Sequence, residues 1–315
     1  MFSSVGTFWV SLAPILLPIV VGAVLGRASQ RIDDRSVATC LLYFFLPIYL
    51  LVNLTKVIDG SNELGLVFFF LFFHTAALWV LSASTLKLLH LPQRTHSLVL
   101  LTVLLSHPYL VPAQIFYVVA GNSSANAIET AYRIFEVALV SIAVVGMYLG
   151  SQESSVTERL FEMIRLPIAP LAILAFLLGL LGVSLSPAIL SILTPASQGA
   201  MPLTFLLLGI MIGRGLYLFE LLSLTQMLVA VAIAAVLRLI LSPVIAFLLI
   251  KVMPIEPSLG RLLVIHTAMP TAAFASIFVA FYGQPPDKRY VALCILITGI
   301  ISCITIPSIL ALLAP

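Results

Sequence analysis

A few polar and ionisable residues stand inside long apolar stretches of this chain, and they are the ones able to do chemistry. Arg133 and Glu136 lie three residues apart, on one face of a helix, within the stretch 126–149, and Arg238 sits in the middle of the stretch 222–250. A charge at bilayer depth costs on the order of 3 kcal/mol on insertion scales, so each needs a partner or a task. Glu136 paired with Arg238 or Arg133 is a static ion pair holding helices together. The same carboxylate is also the group through which a proton or a cation would couple, and Arg133 at a membrane edge would simply snorkel. His107 and His266 suit anion binding or proton relay, because imidazole titrates near neutral pH, or they act as hydrogen-bonded structural groups. His74 reads as structural. The histidines have no metal-ligand spacing, and Cys40, Cys294 and Cys303 are scattered as small core residues, so no metal centre is expected. No phosphate-cradling loop, nucleophile elbow or cofactor motif occurs, which argues against an enzyme, a nucleotide-driven pump or a nucleic-acid partner.

Both histidines stand beside prolines in apolar helices. His107–Asn122 reads HPYLVPAQIFYVVAGN and Met269–Gln284 reads MPTAAFASIFVAFYGQ. His107 precedes Pro108 as Met269 precedes Pro270, and each of these prolines stands 13 residues before a glycine, Gly121 or Gly283. Between them Ala113, Ile115 and Phe116 match Ala275, Ile277 and Phe278. Proline removes a backbone donor and clashes with the preceding turn, so a break is expected near Ala268–Thr271. In lipid a broken helix survives only where its freed groups face protein or water. Two breaks at one offset in two halves point to a transporter midplane site.

The second half of a broken helix offers free N–H groups and a positive dipole end, a natural seat for a carboxylate. Thr271, Ala272 and Ala273 are expected to begin that half at Pro270, and Ala113 and Gln114 to begin it after Pro112. Gln114 and Thr271 add side-chain donors, while the small residues let a ligand approach the backbone or serve ordinary helix packing. Asn53 is the polar residue of the second apolar stretch that either faces this site or bonds to a neighbouring helix.

The elements that must hold these residues are membrane helices. The chain has 315 residues, 62% of them hydrophobic and 9% charged, against about 25% charged in soluble domains. The mean hydropathy is +1.21 and net charge is +3. Ten apolar spans fit roughly at 7–27, 36–56, 64–88, 97–120, 126–149, 160–183, 197–216, 222–250, 260–282 and 289–313. The polar run Ser151–Arg159 divides the chain into residues 1–150 and 151–315, five spans each. Ten of the Lys and Arg residues fall in loops after odd-numbered spans, and three (Lys56, Lys251, Arg261) fall on the opposite side. The positive-inside rule then puts the odd loops in the cytoplasm and both termini outside. An odd number of spans per half makes the repeat inverted. Pro47 in Leu46–Leu54 can be laid on Pro202 in Met201–Gly209, in the same order.

The stretch HTAMPTAAFASIFVAFYG with LCILITGIISCITIPSILALL (Leu293–Leu313), and the opening LLPIVVGAVLGR (Leu16–Arg27) with LLYFFLPIYLLVNL (Leu41–Leu54), resemble the auxin efflux carrier family of PIN-like secondary transporters. The resemblance spans essentially the whole chain and is strongest in spans 1, 2, 9 and 10. It implies an all-α membrane protein of ten transmembrane helices in a 5+5 inverted repeat, with broken helices 4 and 9 crossing at the substrate site. Helices at about 7–56 and 160–216 would form a scaffold, and those at about 64–149 and 222–313 a transport domain moving as an elevator. It implies a small organic anion as substrate, a homodimer and a prokaryotic cytoplasmic membrane, while the coupling ion, proton or sodium, stays open. One departure is that LLSHPYLVPAQI (Leu104–Ile115) has neither Asn nor Gly before Pro108, where many members are rich in both. The rival readings are a sodium-coupled symporter or sodium/proton antiporter of related fold, for which more carboxylates near the crossing are expected, and a membrane ligand sensor.

Overall fold

Away from water every backbone N–H and C=O must find its partner within the fold, so apolar stretches of this length become helices. The computed structural model describes residues 2–29, 32–54, 62–106, 135, 155, 157, 165–180, 183, 185–215 and 221–313. The helices are α1 (Phe2–Ala28), α2 (Asp34–Cys40), α3 (Leu46–Leu54), α4 (Asn62–Leu88), α5 (Gln93–Leu104), α6 (Ile168–Leu180), α7 (Pro187–Gly215), α8 (Leu221–Val236), α9 (Ser242–Val252), α10 (Pro257–Thr267), α11 (Phe274–Tyr282) and α12 (Pro285–Leu313). Among the described residues there is no strand, only one isolated antiparallel bridge.

Two of these divisions are not breaks. A π-helical turn at Leu41–Phe45 joins α2 to α3, and another at Leu237–Leu241 joins α8 to α9. Each ends two residues before a proline, Pro47 and Pro243. Proline cannot donate to the preceding turn, and the wide turn absorbs that loss without ending the helix. Among the described residues five helices are long and apolar enough to cross a membrane: Asp34–Asn53, Gly65–Leu88, Pro187–Gly215, Thr225–Val252 and Pro285–Leu313. Val24, Phe69, Phe72, Ile300 and Ile304 are each more than half exposed. Soluble proteins rarely present apolar surface of this kind. The chain is an all-helical integral membrane protein.

Several boundaries differ from those read from the sequence. α7 begins at Pro187, not near 197, because the polar run before it satisfies itself. The Thr194 hydroxyl donates to the Leu190 carbonyl at 2.6 Å and that of Ser191 to Ala188 at 2.8 Å, so neither needs solvent. α5 starts at Gln93 and stops at Leu104. Residues 107–134 and 136–154 lie outside the described residues, and with them His107, Pro108, Pro112, Gln114, Arg133, Glu136 and most of spans 4 and 5. Of the cysteines only Cys294 is buried, whereas Cys40 and Cys303 face outward, so the expectation of three core cysteines holds for one.

The helices pack in two groups that also lie against each other, α2 on α11 and α7 on both α11 and α12. α1 lies along α7, α6 packs on α3, and α3 packs on α7. The α1–α7 contact is backbone to backbone. A Cβ added to Gly22 or Gly26 would run into the carbonyl oxygens of Leu206 or Ile210, and one on Gly209 or Gly213 into those of Ile19 or Ala23. Residue numbers rise together along the contact, so the two helices run parallel. Small residues four apart allow this approach, and dispersion then replaces the hydrophobic drive that lipid does not supply. In the second group α8 packs on α5 and α12, α9 on α4 and α10, and α11 on α12.

Charges at the helix ends gather on one face. The Asp34 carboxylate pairs with Arg214 at 2.9 Å and with Lys288 at 2.7 Å. Asp287 takes Arg94 in a two-point contact, with Nε at 2.9 Å and Nη2 at 2.6 Å. These pairs bring the loops after spans 1, 3, 7 and 9 to the same side. Nearby, Asp33 caps α2 by accepting from the Arg35 and Ser36 amides. The Ser36 hydroxyl, with those amides, holds its carboxyl below the usual range.

Candidate functional site

The interruption expected in span 9 is present. α10 opens at Pro257 behind Glu256, whose side chain caps the Ser258 amide, and it ends at Thr267. Ala268 closes a last tight turn, with its N–H on the carbonyls of Val264 at 3.1 Å and Ile265 at 3.2 Å. Met269 precedes a proline and is thereby disfavoured from helical backbone, so the helix does not continue through Pro270. The next helix starts at Phe274, with Ala273 as its cap, three residues later than Thr271. The reason is a partner that the sequence does not reveal. Thr271 forms an antiparallel bridge with Ser106, and the Ala272 N–H donates to the Leu105 carbonyl at 2.9 Å. The interruption in span 9 therefore lies against the end of α5, which opens span 4.

The backbone groups freed at this meeting are nearly all accounted for. The Thr271 N–H donates to the Thr298 hydroxyl at 3.3 Å, and the Thr271 hydroxyl donates to the Thr102 carbonyl at 2.9 Å. Cys294 Sγ lies 3.7 Å from that hydroxyl, which is left to accept from the thiol. The Thr102 hydroxyl is committed to the Leu98 and Val99 carbonyls, so Tyr290 Oη, 3.2 Å away, donates to it. Tyr290, Cys294 and Thr298 are spaced by four along α12 and form one polar stripe facing the interruption.

Arg238 is 1% exposed and lies in the π-turn before α9. Its Nε donates to the Met269 carbonyl at 2.8 Å and its Nη1 to the Val103 carbonyl at 3.0 Å. One guanidinium thus spans the C-terminal ends of α10 and α5. Four residues on, the Ser242 hydroxyl donates to the Thr267 carbonyl at 2.8 Å. His74 Nε2 lies 3.1 Å from the Ser242 carbonyl and 3.2 Å from its hydroxyl, which ties α4 to the same point. His266 is buried in the last turn of α10, within the electrostatic field of Arg238.

Of the residues singled out in the sequence, Arg238, His266, Met269, Pro270 and Thr271 come together here. Asn53 is elsewhere: its Nδ2 donates to the Tyr49 carbonyl at 2.7 Å and reaches Ser197 Oγ at 3.5 Å, joining α3 to α7. Arg238 was expected, as the alternative to Arg133, to pair with Glu136, and both Glu136 and Arg133 lie outside the described residues. Its described bonds go to backbone carbonyls. Ser242, Thr102, Tyr290 and Thr298 were not anticipated. The signal that would have found Ser242 is spacing by four with Arg238 in span 8, and for Tyr290 and Thr298 it is spacing by four with Cys294 in span 10; Thr102 carries no such signal.

What the arrangement offers a ligand is at the start of α11. The amides of Ala273 and Phe274 make no hydrogen bond among the described residues, and both residues are buried. Unsatisfied donors at a helix N-terminus favour an anion. No family model matches the chain, and no curated protein matches it.

Proposed function

We propose that this chain is a secondary active transporter of a small organic anion, built as a 5+5 inverted repeat of the auxin efflux carrier type. In this reading it carries a carboxylate across a prokaryotic cytoplasmic membrane, with both termini outside. Spans 4 and 9 cross at the site, and spans 3–5 and 8–10 move against spans 1, 2, 6 and 7. The observation that carries the reading is the bridge Ser106–Thr271, by which an interrupted helix meets the end of α5 within span 4, with two buried amides beside it. The lengths agree with a crossing. α10 and α11 have 11 and 9 residues, which at about 1.5 Å per residue add up to about 30 Å, one hydrocarbon thickness. The packing supports the repeat. Exchanging the halves turns the contact of span 1 with span 7 into that of span 6 with span 2, and both contacts occur. Clustering of the loops after spans 1, 3, 7 and 9 on one basic face supports the topology.

The test is uptake of labelled mono- and dicarboxylates into proteoliposomes holding the purified protein. Pro270→Ala is expected to lower uptake at least about tenfold while leaving the melting temperature within a few degrees, because interactions that orient a bound group act on rate. Full uptake by a folded Pro270→Ala protein would overturn the crossing. No uptake of any carboxylate by the unaltered protein, together with ligand-induced stabilisation, would favour a sensor instead.

A further inference from the structure

We infer that Arg238 is the fixed counter-cation of the crossing, a tethered charge in the place where a mobile metal ion would otherwise bind. Two helices end within reach of its side chain. Each C-terminal end carries about half a negative charge, so the two together present about one. Carbonyls at the ends of interrupted membrane helices are the groups that bind alkali cations in transporters of this general construction. Here the Met269 and Val103 carbonyls face Nε and Nη1 of one guanidinium, at 2.8 Å and 3.0 Å. The group is placed by the helix it belongs to. The π-turn Leu237–Leu241 carries Arg238, and Ser242 at the end of that turn holds the Thr267 carbonyl. Span 8 therefore supplies donors to three carbonyls, two on α10 and its exit and one on α5. Arginine suits this position better than lysine, because its planar fork serves two acceptors in fixed directions, whereas an ammonium acts as a point charge.

Two consequences follow. The ends of α5 and α10 are locked to each other and to span 8, so the two half-helices behave as one body. The Met269 and Val103 carbonyls are also already occupied, so sodium has no place between them. The second consequence rests on the transporter reading only where it bears on coupling. The location of the guanidinium does not depend on that reading.

The experiment uses the purified full-length protein in detergent, and it reads melting temperature rather than flux. Samples in choline, sodium and guanidinium chloride, each at about 20 mM above a common ionic strength, are compared for the unaltered protein, Arg238→Ala and Arg238→Lys. The unaltered protein is expected to show no saturable difference between sodium and choline. Arg238→Ala is expected to melt at least about 5 °C lower, since an uncapped pair of buried helix ends is left behind. Guanidinium is expected to restore about half of that loss, with sodium giving a smaller gain, because either ion can now enter. Saturable sodium stabilisation of the unaltered protein would overturn the inference, and so would a folded Arg238→Ala protein that no cation rescues. If Arg238→Ala does not fold, Arg238→Lys is compared with Arg238→Met. A Met variant as stable as the Lys variant shows that the charge is not needed and sinks the proposal. Cation rescue in a protein that moves no carboxylate would leave this inference standing and remove the transport reading.

Discussion

Pro270 and Arg238 act on the same problem from opposite sides. The proline removes a backbone donor where span 9 must open, and the arginine supplies donors to the carbonyls left without partners. The effect of Pro270 was readable, because a ring on nitrogen acts locally whatever surrounds it. Arg238 was readable as an anomaly, a charge in the middle of an apolar run. Its partners were not, because a backbone carbonyl has no side-chain signature and any residue can supply one. Thr271 shows the same limit. Its position after the proline suggested a helix start, yet the bridge to Ser106 keeps it extended and moves the start to Phe274. Its hydroxyl now reads as a structural donor to the Thr102 carbonyl, with Cys294 on its other side. Thr271→Val keeps the shape and removes the donor, at a cost of about 1–3 kcal/mol for a buried carbonyl left unsatisfied. In a thermal melt that is a fall of several degrees. An unchanged melting temperature would show that the hydroxyl contributes nothing to holding the interruption against α5.

At the scale of elements, the apolar runs gave the helices and the prolines did not predict their ends. Pro14, Pro18, Pro195, Pro202 and Pro307 all lie inside continuous helices. Pro270 differs because α5 and α12 offer its neighbours other partners, and only the tertiary fold supplies those. The α1–α7 contact has a sequence signature: Gly22 and Gly26, and Gly209 and Gly213, stand at the four-residue spacing that lets helices touch by their backbones. Gly209→Leu sets a side chain against the Ile19 carbonyl, which cannot retreat. Overpacking costs about 1–3 kcal/mol where neighbours can shift, and more where the obstacle is backbone. The variant is expected to melt well below the unaltered protein or to be lost on purification. Gly65→Leu, with open space around the glycine, is the control expected to behave normally.

For the molecule as a whole, charge asymmetry gave a sidedness that the ion pairs support. The loops after spans 1, 3, 7 and 9 meet on one face through Asp34 and Asp287. That this face is cytoplasmic is testable at Ser155, which is exposed in the segment between the two halves. In a chain whose native cysteines are replaced, Ser155→Cys is expected to react with a membrane-impermeant maleimide only in inverted vesicles. Reaction in right-side-out cells would reverse the orientation. The proposed inverted repeat is legible in the sequence only as paired motifs, because two halves related by an in-plane axis would share order but face opposite ways.

Asp34 stands between two bases of different allegiance. Arg214 belongs to α7, in the same packing group as Asp34, and also holds the Ile32 carbonyl, whereas Lys288 belongs to α12. If α12 slides away, Arg214 keeps the carboxylate neutralised and only Lys288 is released into water, where an ammonium is well solvated. The electrostatic part of that displacement is then a single ion pair, about 0–1 kcal/mol where it is exposed and screened by salt, beside the packing of α12 on α7 and of α11 on α2 that would also be given up. Under the proposed elevator movement, the part that holds Asp34 would never carry an orphaned charge, and this ion pair would register one end of the stroke without itself holding the two parts together.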